Sequence, residues 1–373
     1  MKIAFVNDLI YAYAMGAPSA VGGAERQQWL LARALAAAGW QVTVGVRQSL
    51  EYKRRVDIEG VRFVGIGEGQ ILLSWYRFLK AEQPDWWYWR CASHLLGLAT
   101  IAAKFANVRI IFAVGFDSDV NIRYALYQRP RWWPLYALGV AWADKIFVQN
   151  DKQLISLPRQ WRTKTWKVPS ITPEPGAVIP QTQRAHYVAW VAMLRKFKRP
   201  DLLIEIAGKA PDLCFVVCGG LTTFTAAPGY GEKMVESLQA LPNVQYLGQV
   251  APAKALRVIS EAAIFLSTSD EEGFPNTFLQ AWGAGTPVIS LRIDPDQVIE
   301  RYALGRVSCT VQQAIIDIRD LLGSPEAREA ISGRARQYVA NHHSSSALVS
   351  MLENVTLGIL PPITAQSQSA KLV

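Results

Sequence analysis

The residues with the clearest chemical potential lie between Ser267 and Ser290, in the run STSDEEGFPNTFLQAWGAGTPVIS. The run follows an apolar segment and contains Glu271 and Glu272. It then reads as a glycine-containing loop, a helix and a new apolar strand. In such a passage the loop amides and the positive end of the helix face the same crevice. We therefore expect this loop to bind an anionic group such as a nucleotide diphosphate, with Glu272 beside it to accept hydrogen bonds from hydroxyls.

This run resembles the donor-site signature of the retaining glycosyltransferases of glycosyltransferase family 4, also described as glycosyl transferases group 1. The resemblance rests on Glu-Gly-Phe-Pro-Asn at 272–276 and on Gly-Thr-Pro-Val at 285–288. It implies that Glu272 contacts the transferred sugar. It departs at Gln280, where the family has a second glutamate that holds the ribose, and an uncharged amide accepts a weaker hydrogen bond than a carboxylate. The resemblance assigns these further residues to the donor: Gly273, Phe274, Pro275, Asn276, Thr277 and Gln280.

A second motif, Gly22-Gly23-Ala24-Glu25, opens a predicted helix through Ala38, after a segment (8–21) that reads as a loop. Glycines permit close approach of the backbone to a phosphate, and a helix N-terminus adds partial positive charge. Gly-Gly-x-Glu at the first loop is also typical of the family. The resemblance implies that Gly22 and Gly23 close over the donor phosphate, and the alternative is a simple tight turn.

A third motif is the basic loop after the first strand of the second half, residues 192–201. Lys198 stands at the lysine position of the family. Met193 occupies its usual arginine position, and Arg195 lies two residues later. The resemblance implies that Lys198 and Arg195 grip the donor diphosphate and neutralise it as it leaves. The alternative is a solvated basic loop. Gly219, at the end of a buried strand, is implied to lie near the donor.

The loop around Asp117 and Asp119 stands where many family members have a histidine that touches the sugar, but here it contains none. Asp117 is a candidate to hold a sugar or acceptor hydroxyl. Two carboxylates are an incomplete metal cage, so we expect no metal and no cofactor beyond the nucleotide-sugar substrate. The resemblance implies a front-face displacement in which the leaving phosphate takes the acceptor proton, which requires no dedicated base.

Length and the alternation of strands and helices predict an α/β protein with two domains. The resemblance makes this a GT-B fold, with two Rossmann-like doubly wound domains facing each other across a cleft. We predict an acceptor-binding domain over 1–170 and a nucleotide-sugar-binding domain over 183–340. A helix over 341–357 is expected to cross back to the first domain, and 361–373 to form a flexible tail.

Charge is concentrated in the first half. Residues 1–170 contain 22 Lys+Arg against 12 Asp+Glu, a net of +10, and residues 171–373 contain 17 against 18, a net of −1. The start, MKIAFVND, lacks the long apolar segment of a signal peptide, and no run of about twenty apolar residues could span a membrane, which favours a cytoplasmic location. The basic half could contact an anionic inner membrane face. Trp86 to Arg90 reads as a buried strand, and Arg129 to Trp133 as a more exposed candidate for membrane or lipid-carrier contact.

The sequence therefore predicts a retaining hexosyltransferase. Its partners would be a nucleotide-sugar and a saccharide or lipid-linked acceptor, in surface polysaccharide or glycolipid assembly. Gln280 and Met193 leave open a degenerate, non-catalytic protein that binds a nucleotide-sugar or a partner enzyme. A nucleic-acid binder rests on charge alone, without a recognised module, and we expect no nucleic-acid partner.

Overall fold

A computed structural model describes residues 1–17, 22–126, 129–173, 178–221 and 229–363. The chain divides into two compact units. The first comprises Met1–Ile171 and Ser345–Val373, and the second Thr172–Ser344. Among the described residues, no helix is both long and apolar enough to cross a membrane.

The first unit contains an eight-stranded sheet in the order β3-β4-β2-β1-β5-β6-β7-β8, parallel except for the β3–β4 pair. Its strands and helices, in chain order, are β1 Lys2–Val6, α1 Asp8–Ala14, α2 Gly23–Ala37, β2 Gln41–Val46, β3 Arg55–Ile58, β4 Val61–Gly65, α3 Ile71–Glu82, β5 Trp86–Arg90, α4 Leu95–Ala106, β6 Arg109–Ala113, α5 Trp133–Trp142, β7 Lys145–Val148, α6 Asp151–Ser156, α7 Arg159–Arg162 and β8 Thr165–Lys167. Apolar clusters cover both faces of this sheet.

The second unit contains six parallel strands in the order β11-β10-β9-β12-β13-β14. Its elements are β9 Ala185–Val191, α8 Pro200–Lys209, β10 Phe215–Cys218, α9 Tyr230–Gln239, β11 Val244–Tyr246, α10 Pro252–Glu261, β12 Ala262–Ser267, α11 Asn276–Gly283, β13 Val288–Ser290, α12 Val298–Arg301, β14 Gly305–Val307, α13 Val311–Gly323 and α14 Pro325–His342. Counted from β9, this order is 3-2-1-4-5-6, the doubly wound arrangement of nucleotide-binding sheets. The predicted fold class, two Rossmann-like α/β units, is confirmed.

The last described helix, α15, runs over Ser345–Thr356 and packs in the first unit. Its apolar side joins the cluster that also contains α2, and Trp40 Nε1 donates to Glu353 Oε1 at 3.1 Å. The predicted helix over 341–357 therefore differs from the structure, because α14 continues to His342 before the chain turns into α15. Most of the predicted tail, 364–373, lies outside the described residues.

The interpretation of 8–21 as a loop was wrong over its first half, where α1 forms. Asn7 caps this helix by accepting a hydrogen bond from the Leu9 amide at 2.9 Å, and Asp8 favours the positive end of the helix dipole. Ile10 is fully buried, and the ring centroids of Tyr11 and Phe63 lie 5.2 Å apart. Tertiary packing thus stabilises a helix too short to be predicted from its periodicity. Residues 18–21 lie outside the described residues.

On one face of the first sheet, helices α4 and α5 approach so closely that glycine is required at both contact positions. A Cβ built on Gly97 would lie 2.3 Å from the Leu135 carbonyl oxygen, and one on Gly139 would lie 2.7 Å from the Gly97 amide nitrogen. Backbone atoms cannot yield as a flexible side chain can. The two glycines therefore set the distance between the helices.

We predict that Gly97→Ala lowers the free energy of unfolding by about 1–3 kcal/mol, because overpacking forces the two helices apart. The matched control is Gly333→Ala in α14, where a Cβ would meet nothing within 4 Å. That variant should gain about 1 kcal/mol from improved helix propensity. Urea denaturation of both variants measures the difference, and equal stabilities would contradict the close crossing.

Candidate functional site

The candidate site of the second unit lies at the point where the order of the sheet reverses. Strands β9 and β12 are parallel neighbours, with Phe265 opposite Ala189, although they are far apart in sequence. The loops that follow them, 192–199 and 268–275, leave the same edge of the sheet side by side. In doubly wound sheets, ligands bind outside the carboxyl ends of the strands at this reversal. The two principal motifs of the sequence therefore meet here.

The contact that joins the two loops is an ion pair between Lys198 Nζ and Glu272 Oε1. The Lys198 side chain is 20% exposed and that of Glu272 is 10% exposed. Ser269 Oγ donates a hydrogen bond to the same carboxylate oxygen at 3.1 Å. Charges this well shielded from water are screened much less by salt than surface pairs. The structure thus brings together the two residues that the sequence singled out for diphosphate and sugar.

Main-chain and side-chain hydrogen bonds hold the two loops in register. The Asp270 amide donates to the Phe197 carbonyl at 2.8 Å. Thr268 Oγ1 donates to the Lys198 carbonyl at 2.7 Å and accepts from Trp190 Nε1 at 3.0 Å. Because Thr268 and Trp190 are both buried, this chain of bonds fixes the backbone on either side of the ion pair.

Arg199 adds a second bridge between the loops, and the sequence analysis missed it. Its guanidinium donates to Asp201 at 2.7 and 3.0 Å and to Asp270 at 3.0 Å, and Arg292 also pairs with Asp270 at 2.6 Å. The hydrogen bond to Asp201, with further help from Asp270, raises the pKa of Arg199. Its φ of 51° turns the chain sharply into α8. The polar residues after β12 can be seen in the sequence, but the pairing of Asp270 with Arg199 depends on the tertiary fold.

Of the residues predicted to surround the donor, Phe274 and Pro275 have structural roles. Phe274 is buried, with its ring 6.3 Å from that of Trp282 and 5.0 Å from that of His343. Pro275 caps α11 at its N-terminus and has no N–H to donate. Their predicted donor contacts are therefore restricted to Phe274 main-chain atoms and the Pro275 carbonyl. Gly273 is buried beside them.

Helix α11 presents different sides to the core and to the site. Phe278, Leu279 and Trp282 are buried, whereas Asn276, Thr277 and Gln280 are only half-buried. Main-chain amides in the first turn of an α-helix have no acceptor within the helix. The N-terminus of α11 comes shortly after Glu272, and a helix N-terminus at this place can bind an anionic ligand. Gln280 lies on the half-buried side of the same helix.

The closing Gly285-Thr286 of the motif has a structural role. Gly285 adopts a φ of +75°, and a Cβ there would lie 2.3 Å from Ser332 Oγ. The buried Arg184 donates to the Ala284 carbonyl, to Thr286 Oγ1 and, at 3.3 Å, to the Ala262 carbonyl. Burial lowers the pKa of Arg184 to about 10. This arginine, also missed from the sequence, fastens the C-terminus of α11 to the start of β12.

Arg195 and Gly219 also lie around the β9 loop. Among the described residues Arg195 Nε is buried without a hydrogen-bond partner, and its guanidinium carbon lies 6.0 Å from the centre of the Phe197 ring. A Cβ on Gly219 would lie 2.5 Å from the Ala192 carbonyl oxygen. Glycine is therefore needed at 219 because the β9 loop passes directly over it, and Arg195 retains donor capacity for a ligand.

In the first unit, Asp117 lies in a polar cluster. Lys152 Nζ approaches its Oδ2 at 2.8 Å, while Asn150 Nδ2 and Gln153 Nε2 donate to its Oδ1 at 3.1 and 3.0 Å. A ligand hydroxyl at Asp117 would join these contacts. Among the described residues, no group of three or more His, Cys, Asp or Glu is placed to hold a metal ion.

Gly22 is the N-cap of α2 and Gly23 its first residue. A Cβ on Gly22 would overlap the Glu25 carboxylate, which folds back over this turn. The motif therefore forms a tight helix start, with an acid in the first turn. Whether it also contacts a phosphate stays a prediction.

Asp119 is buried near Asp117, and its Oδ2 accepts hydrogen bonds from the amides of Gly115 at 2.7 Å and Phe116 at 3.1 Å. Burial raises the pKa of Asp119 to about 6, although these amides act in the opposite direction. A raised carboxyl pKa means that the folded state holds the proton more tightly than the unfolded state. The resulting stabilisation is complete below the unfolded pKa and is lost as the pH rises through about 6.

We therefore predict that the stability of the wild-type protein relative to Asp119→Asn falls between about pH 4 and pH 6, by up to about 3 kcal/mol. The asparagine oxygen can still accept from the Gly115 and Phe116 amides; it loses the bond from the Ala92 amide at every pH, and it does not titrate. Urea denaturation of both proteins across this range gives the difference. Parallel stability curves would show that Asp119 ionises normally in the fold.

This chain is similar to known proteins in sequence and in fold. The family described as "Glycosyl transferases group 1" matches residues 178–338. A D-inositol 3-phosphate glycosyltransferase from Corynebacterium aurimucosum is 28% identical over 176 residues, which cover 45% of this chain and 42% of that protein. The chain thus matches less than half the length of this relative.

Two solved structures are similar over nearly the whole chain. Sucrose-phosphate synthase from Thermosynechococcus elongatus has a TM-score of 0.71 at 17% identity, covering 96% of this chain and 99% of that one. HepE from Anabaena, solved with UDP-glucose, has a TM-score of 0.71 at 14% identity, covering 96% and 100%. The chain therefore has the GT-B fold of two Rossmann-like units, and its second unit matches the family of glycosyl transferases group 1.

Proposed function

We propose that this protein is a retaining glycosyltransferase that moves a hexosyl group from a nucleotide diphosphate sugar to a hydroxyl of a saccharide or lipid-linked acceptor. The observation that carries the proposal is the Lys198–Glu272 pair at the reversal point of the second sheet. It lies directly before the N-terminus of α11, within the segment that matches the family. The structural neighbour solved with UDP-glucose makes UDP-sugars the first donors to test.

In the proposed reaction, Lys198 and Arg195 bind the diphosphate, and their charge stabilises it as the bond to the sugar breaks. Glu272 accepts hydrogen bonds from sugar hydroxyls, with the Gly273 amide and the first amides of α11 beside it. Gln280 contacts the ribose, and Gly219 lies close to the donor. The acceptor hydroxyl attacks from the face that the phosphate leaves, and the phosphate oxygen takes its proton. Catalysis then depends on positioning and electrostatics, and it requires no metal ion.

The first unit would bind the acceptor, with Asp117 contacting a hydroxyl. An acceptor of surface polysaccharide or glycolipid assembly agrees with the +10 charge of residues 1–170, counted as 22 Lys+Arg against 12 Asp+Glu. Such charge would place the protein at the inner face of an anionic membrane. Because Lys198 and Glu272 are both present and in contact, we favour a transferase over a non-catalytic binding protein.

We predict that one nucleotide and its sugar, tested among UDP, GDP, ADP and TDP, stabilise the protein by about 2.7 kcal/mol at a hundred times the dissociation constant. Lys198→Ala should weaken this binding roughly 10- to 100-fold, because it removes a charged hydrogen-bond donor to the diphosphate. Glu272→Gln should weaken binding of the sugar nucleotide more than that of the free diphosphate. Thermal unfolding with titrated ligand measures each effect.

Lys196→Ala is the matched control, because Lys196 is exposed in the same short turn as Lys198. Its ligand response should equal that of the wild type. If no nucleotide stabilises the wild type, or if the Lys196 and Lys198 variants respond alike, the donor site is wrongly placed. Release of the nucleotide during turnover, with an α-linked product from an α-linked donor, would establish transfer with retention.

We also predict that Gln280→Glu tightens nucleotide binding by roughly tenfold, because a carboxylate accepts a stronger hydrogen bond from ribose hydroxyls than an amide does. The gain should disappear with a 2′,3′-dideoxyribose nucleotide, which lacks those hydroxyls. A gain that persists with the dideoxy analogue would place residue 280 away from the ribose. The two affinities are measured by calorimetric titration.

A further inference from the structure

Three helices on one side of the first unit's sheet, with the turn before the third, expose several aromatic side chains. Helix α3 packs against α4, and α4 against α5, on one side of the sheet. Phe105 at the end of α4 is 75% exposed, and Trp142 at the end of α5 is 42% exposed. Trp132 and Trp133 are exposed at the other end of α5. We call the outward surface of these three helices and of the turn at 129–132 the aromatic face.

Two of these three helices carry few charges, whereas a surface helix normally presents a charged side to water. Helix α5, WPLYALGVAW, contains no charged residue, and α4 contains only Lys104. Helix α3 adds Leu72, Leu73 and Tyr76, all exposed. Single exposed apolar residues are common, but an apolar surface spread over adjacent helices marks an interaction site.

The charges at this face are almost all positive. Lys104 Nζ lies 5.6 Å from the centre of the Trp142 ring, and the Arg123 guanidinium lies 5.5 Å from that of Trp133. The helices and the turn together contain five cations: Arg77, Lys80, Lys104, Arg129 and Arg131. Their one acid, Glu82, pairs with Arg55 at 2.9 Å. The face therefore combines exposed tryptophan with unopposed positive charge.

We propose that the aromatic face lies on the surface of an anionic lipid bilayer. Tryptophan rings favour the boundary between headgroups and acyl chains, and nearby lysine and arginine side chains reach the anionic headgroups. A second copy of the chain is a poorer partner, because self-association would bring like charges together. This inference assigns a surface to the membrane contact of the proposed function, and it can be tested without donor or acceptor.

The test is sedimentation of the full chain with vesicles of phosphatidylcholine, alone or mixed with phosphatidylglycerol. We expect binding to the anionic vesicles that weakens with added salt, and much weaker binding to phosphatidylcholine alone. Arg129→Gln combined with Arg131→Gln should weaken the binding about 25-fold, at roughly fivefold for each cation removed. Phe105→Ser with Trp142→Ser should weaken it roughly tenfold or more.

Two control variants in the second unit test whether the loss of vesicle binding is specific to the aromatic face. Lys233→Gln with Arg257→Gln removes the same charge from other exposed helices, and Ile316→Ser removes a side chain that is 48% exposed. Both should bind vesicles as the wild type does, and thermal unfolding checks that every variant is folded. The proposal fails if the wild type ignores anionic vesicles, or if face and control variants bind alike. It also fails if the face variants abolish a dimer instead of vesicle binding. Nucleotide binding, measured separately, reports on the transferase proposal alone.

Discussion

The ion pair between Lys198 and Glu272 is the interaction on which the candidate site depends, and it exists only because of the strand order. The two residues are 74 positions apart, and they meet because β9 and β12 are parallel neighbours whose ends lie at one edge of the sheet. The Arg199–Asp270 bridge and the Thr268 hydrogen bonds support the same two loops. Lysine and glutamate are therefore held in place before any ligand arrives, which is the condition for catalysis by positioning.

The N-terminus of helix α11 lies close to this ion pair in the chain, and contacts at the C-terminus of the helix hold it in position. The buried Arg184 donates to the Ala284 carbonyl, one of the carbonyls at the C-terminus of α11 that have no partner within the helix, and also to the Ala262 carbonyl at the start of β12. Gly285 allows the turn that follows, where any side chain would meet Ser332. The motif from Glu272 to Val288 thus has two parts: the first contributes to the candidate site, and the second fixes the C-terminal end of the helix that the first part begins.

The fold could be predicted from the sequence because alternating strands and helices leave few possible topologies. Lys198 and Glu272 could be predicted as candidates because each stands in a short motif typical of the family. Prediction failed where a residue acts through a distant partner. Helix α1 depends on packing against Phe63, and Arg184 contacts chain segments about 80 and 100 residues away. Nothing near these residues in the sequence marks such contacts. The same limit applies to Phe274 and Pro275, which belong to the motif by position but to the core and the helix cap by structure.

Positive charge is arranged differently in the two units. In the second, Thr172–Ser344, the sequence has 16 Lys+Arg against 17 Asp+Glu, and one shielded lysine is matched by one carboxylate. The diphosphate recognition proposed for this pair would depend on the placement of these two side chains and would be little weakened by salt. In the first, the excess cations lie on the surface, where the Debye length of about 8–10 Å limits their reach. Charge of that kind selects no particular ligand, but it suits an extended anionic surface that meets many cations at once. The distribution of charge therefore favours a specific ligand site in the second unit and the proposed membrane contact in the first.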